Sequence, residues 1–66
     1  MKVATAIKYI QTGISPHSDS PLLDAQVLLA HILQKNRPWI MAHPEAMLLP
    51  EQVRQIEEAL KSIQND

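Results

Sequence analysis

The chain has no cysteine and no phenylalanine, one glycine, and aromatic residues at only 3% of its 66 positions. Without cysteine there is no disulfide, no thiolate zinc site and no thiol nucleophile. With Gly13 alone, a glycine-rich loop that cradles phosphate cannot be assembled. A charge excess is missing too: six Lys and Arg against seven Asp and Glu leave a net charge of −1. The cations stand singly, at Lys2, Lys8, Lys35, Arg37, Arg54 and Lys61, so no basic face suited to phosphates is built and no direct nucleic-acid partner is expected. No run approaches the ~20 apolar residues that cross a bilayer. The opening MKVATAIKYIQTG has no long apolar stretch behind its lysine, as a secretory leader would. A cytoplasmic protein without membrane contact is the expectation.

What is present reads as one all-α domain over residues 1–66, a small bundle of three main helices and a short one. From Lys2 to Ile14 the residues Val3, Ala6, Ile7, Ile10 and Ile14 fall in one narrow arc at helical spacing. Ser15-Pro16 ends that helix, because the residue before a proline is pushed out of the α region. Ser20 is placed to cap a second helix with Pro21 at its first position, and Asp24 adds a first-turn carboxylate. Leu22, Leu23, Ala25, Leu28, Leu29, Ile32 and Leu33 cover more than half of that helix's circumference, which predicts a central helix with neighbours on several sides. Asn36 or Arg37 caps a short helix from Trp39 to His43, which Pro44 stops. After an apolar connector (Met47, Leu48, Leu49), Pro50 opens a last helix burying Val53, Ile56, Ala59, Leu60 and Ile63.

The chemistry on these helices is sparse. His17, His31 and His43 with Asp24 match no zinc spacing, and Asp24 has neither a nucleophile nor a second acid beside it, so no metal and no catalytic residue is expected. Glu51, Glu57 and Glu58 on the last helix would meet DNA phosphates unfavourably. Trp39 serves either as a plug in a core that has no Phe or as an anchor for a partner. A bundle this small supplies only ~3–5 kcal/mol of net stability, so a partner surface is expected to share its apolar faces.

The run Ser20-Pro21-Leu22-Leu23-Asp24-Ala25-Gln26-Val27-Leu28-Leu29-Ala30-His31-Ile32-Leu33 resembles a segment near the start of the HemK/PrmC family, the release-factor glutamine methyltransferases. The likeness continues through Arg37, Trp39, Ala42-His43-Pro44-Glu45 and Leu48 to Gln52. It implies the N-terminal helical module of a longer enzyme that methylates the Gln of a Gly-Gly-Gln motif in peptide-chain release factors. S-adenosylmethionine would be the cofactor of that enzyme, held by a catalytic domain outside these residues. The implied partners are the release factor and the enzyme's own catalytic domain, and the candidate partner-binding residues are Arg37, Trp39 and His43. The sequence departs from the family where Gln34-Lys35-Asn36 replace a glycine, which suggests Asn36 for a left-handed turn, and where Leu49 replaces a capping Ser or Thr, which suggests a blurred start to the last helix. The rival reading is a stand-alone helical interaction domain that dimerises to complete its core.

Overall fold

The computed structural model describes residues 1–64. Four helices follow one another: α1 Val3–Ile14, α2 Pro21–Leu33, α3 Arg37–Ala42 and α4 Pro50–Gln64, with one 3-10 turn at Ser15–His17. The all-α expectation of three main helices and a short one holds. Among the described residues, no helix is long and apolar enough to cross a membrane.

The core forms where the apolar stripes of α1, α2 and α4 meet. Val3, Ala6, Ile10 and Ile14 are buried on α1, Ala25, Leu29 and Ala30 on α2, Ile40 on α3, Leu48 in the connector, and Ile56 and Leu60 on α4. Each large aliphatic side chain so removed from water contributes about 1.5–3 kcal/mol before chain entropy is set against it. Helix α2 packs against all three other helices, as a central element must. It is nevertheless not covered over most of its circumference: Leu22, Leu23 and Val27 remain exposed, and Leu28, Ile32 and Leu33 are half-buried. The neighbours expected on several sides are present, but they leave part of the apolar surface of α2 open. Three helices cannot surround a fourth in a chain of this length.

The ends of α1 and α2 are tied in ways that local sequence did not announce, while α3 takes the Asn36 cap and α4 the Pro50 start that it did. Helix α1 has no side-chain cap. Its leading amides donate to the connector instead, Val3 N–H to the Ala46 carbonyl at 2.9 Å and Ala4 N–H to the Pro44 carbonyl at 3.1 Å. The Leu48 N–H donates back to the Met1 carbonyl at 2.9 Å, and Lys2 Nζ reaches Glu45 at 2.8 Å. At α2, Ser20 holds the cap position without a side-chain bond. The Ser18 hydroxyl donates to the Asp24 carboxylate and accepts the Ser20 N–H at 3.1 Å. The left-handed residue after α2 is Gln34, φ 57°, not Asn36; the Asn36 side chain is engaged instead as the cap of α3, accepting the Trp39 N–H at 2.9 Å. The start of α4 is sharp despite Leu49. Gln52 Oε1 accepts the Leu49 N–H at 2.8 Å, one half of a capping box, and Pro50 fills the first helical position.

Candidate functional site

Helix α3 is only six residues long, so its position depends on its ends and its neighbours. Asn36 fixes its start, Ile40 drives one face into the core, and the guanidinium of Arg37 spans to α2, where Nη2 and Nε donate to Gln26 Oε1 at 3.0 and 3.3 Å. Trp39 lies 200° around a helix from Arg37 at ~100° per residue, and the two side chains part accordingly. The indole is half-buried against the core and stacks on the His43 ring, with centroids 4.2 Å apart and planes inclined by 17°. Lys35 Nζ stands 5.3 Å from the indole centroid, within cation–π range.

His43 closes this cluster. Its Nδ1 lies 2.8 Å from the Trp39 carbonyl oxygen. Because a carbonyl only accepts, Nδ1 is the donor in this bond. The three candidates therefore divide. Trp39 and His43 form one unit, to which Lys35 is added by the structure, while Arg37 belongs to a second unit with Gln26. The spacing of Lys35, Trp39 and His43, each four residues from the next, was the sequence signal for the first unit. It was masked by the break at Asn36, across which helical spacing does not ordinarily carry.

The second unit continues into apolar surface. Leu22 lies one turn before Gln26 on α2, and Leu23 and Val27 lie beside them, at i+1 from each. Val27 keeps 52% of its surface in contact with solvent and Leu22 48%. Met41 on α3 and Met47 and Leu49 in the connector are also exposed. Leu22 stands one turn from Gln26 and Met41 one turn from Arg37, both exposed, and a cation beside apolar side chains suits a protein partner better than a small polar ligand.

No part of this surface assembles reaction chemistry. Among the described residues, no three His, Asp or Glu side chains gather as a metal would require. The Trp39–His43 unit can stack, hydrogen-bond and repel or attract charge.

A family model described as PrmC N-terminal domain matches residues 5–66. A release factor glutamine methyltransferase of Buchnera aphidicola subsp. Baizongia pistaciae is 40% identical over 43 residues, which are 65% of this chain and 16% of that protein. One from Shewanella oneidensis is 32% identical over 59 residues, 89% of this chain and 21% of that protein. The chain thus spans a fifth or less of the length of one relative and about a fifth of the other. No solved structure matches.

Proposed function

The chain belongs to the PrmC N-terminal domain family, and from that premise we propose that it is the substrate-engaging module of a release-factor glutamine methyltransferase. The observation that carries this reading is the match over residues 5–66, read with the names of the relatives that share it. In this reading the parent enzyme transfers a methyl group from S-adenosylmethionine to the side-chain amide of the Gly-Gly-Gln glutamine. A cytoplasmic location goes with it. The residues present do not fit that cofactor: the one glycine, Gly13, lies within α1 beneath Leu60, so among the described residues no glycine-rich loop is offered to a nucleoside. The module's part is binding and orientation.

Arg37, Trp39 and His43 are the residues we assign to the release-factor contact, with the band of Leu22, Leu23 and Val27 beside them. A half-buried Trp with the Lys35 cation near its ring is the kind of aromatic anchor on which such interfaces concentrate binding energy. The test is titration of purified release factor into the chain, followed by calorimetry. Trp39→Ala is expected to weaken binding by about thirtyfold, as a hot-spot truncation of ~2 kcal/mol does, with circular dichroism unchanged. Equal affinity for wild type and all three alanine variants would remove this surface from the reading. The exposed band also favours a second reading, pairing with another copy of the chain. Sedimentation that shifts toward a dimer as concentration rises would support it.

A further inference from the structure

A second concave surface lies on the other side of the molecule, between α1 and α4. Its volume is about 510 Å³, in the range of sites that take a ligand or a few side chains. Both walls are regular. Helix α1 contributes Thr5, Lys8, Tyr9, Thr12 and Gly13, and α4 contributes Glu57, Leu60, Lys61 and Gln64. Each set follows the i, i+3, i+4, i+7 spacing of a single helical stripe, so the groove runs along two turns of both helices.

Its chemistry is one-sided. Two lysines from the two facing helices, Lys8 and Lys61, border a floor made by Leu60 and the half-exposed Tyr9 ring, against one carboxylate, Glu57. The acidic residues elsewhere on α4 are already engaged, since Arg54 bonds Glu58 at 2.7 Å and Glu51 at 3.1 Å. No ion pair to Lys8 or Lys61 exists among the described residues. Gly13 shapes one end: a Cβ there would come within 3.1 Å of Leu60, and its bare carbonyl accepts from Gln64 Nε2 at 3.2 Å.

We propose that this groove receives an acidic segment of the release factor, a carboxylate held between Lys8 and Lys61 with an adjoining apolar side chain against Tyr9 and Leu60. The proposal rests on the substrate-engaging reading given above. It adds a second contact, separate from the α2/α3 surface. A volume of this size holds a short stretch of chain and not a folded domain, and its charge balance selects an anionic one.

The experiment is titration of purified release factor into the isotopically labelled chain, read by chemical-shift changes and by calorimetry. Amide shifts at Tyr9, Gly13 and Leu60 are expected. Lys8→Glu/Lys61→Glu is expected to weaken binding by about tenfold or more, and Lys8→Arg/Lys61→Arg to retain it, because the cationic charge is kept. Both lysines are exposed, so the variants keep the fold, as circular dichroism checks. Release-factor binding that is unaltered by the charge reversal, with shifts confined to α2 and α3, overturns the groove and leaves the substrate-engaging reading standing. Absence of any binding by the wild-type chain overturns both.

Discussion

Helices α1 and α4 on one side of the bundle, and α2 and α3 on the other, solve the same problem with opposite results. On α1 and α4 the buried residues sit on one stripe each. The helices bury those stripes and leave lysines, threonines and glutamates outside. On α2 the apolar residues exceed what three neighbours can cover, and three of them stay in water. A sharply divided helix is finished by its own fold. A helix apolar nearly all round carries more hydrophobic surface than the fold uses, and the excess is the signature of a surface meant to be covered by something else.

The widest separation between the two sides should come from α2 itself. Leu29→Ala, at a fully buried position, should cost about 2–5 kcal/mol, comparable to the ~3–5 kcal/mol net stability of a domain this size. The variant should be largely unfolded by far-UV circular dichroism at room temperature. Val27→Ala, two residues earlier, should change stability by no more than about 0.5 kcal/mol while reducing release-factor affinity. Equal losses of stability from the two would break the distinction between inner and outer faces.

A smaller effect is expected from Asn36→Ala. Loss of the bond to the Trp39 amide should cost about 1 kcal/mol, visible as a lower urea midpoint, with faster hydrogen exchange at Trp39. It would show how far the α2/α3 side depends on its caps rather than on its core. On the α1 side, Lys2→Ala removes an ion pair whose partners are more than half exposed. About 0.5 kcal/mol or less is expected, and the difference from wild type should shrink as salt is added. Gly13→Ala should be the closest to neutral. Better helix propensity gains about 1 kcal/mol, and the displacement of Leu60, 3.1 Å from the new Cβ, offsets it. A clear stabilisation would mean that α1 and α4 approach one another less tightly than they do here.

Periodicity made one side readable and misled on the other. The stripe Val3, Ala6, Ile10 and Ile14 was legible because burial on α1 obeys the helical repeat. Prolines marked the starts of α2, α3 and α4 for an equally local reason, the fixed φ that suits a first helical residue. Exposure of Leu22, Leu23 and Val27 was not legible, since it depends on how many neighbours the whole chain can bring. Hydrogen bonds from Val3 and Ala4 to the connector were hidden for another reason: they use backbone atoms, which every residue shares. At the candidate surface, Trp39 and His43 could be nominated from sequence, but the arrival of Lys35 depends on the turn at Gln34. The groove between α1 and α4 was missed because its two lysines belong to separate helices whose pairing only the fold decides.

The stitching of α1 to the connector has a consequence in time. Lys2 and Glu45 are 43 positions apart, so during synthesis the first helix leaves the ribosome well before the carbonyls that satisfy its leading amides exist. Until Pro44 to Leu48 emerge, the front of α1 can only fray in water, and its capping waits on closure of a long loop. The first turn of the first helix is thus finished only once the connector has been made.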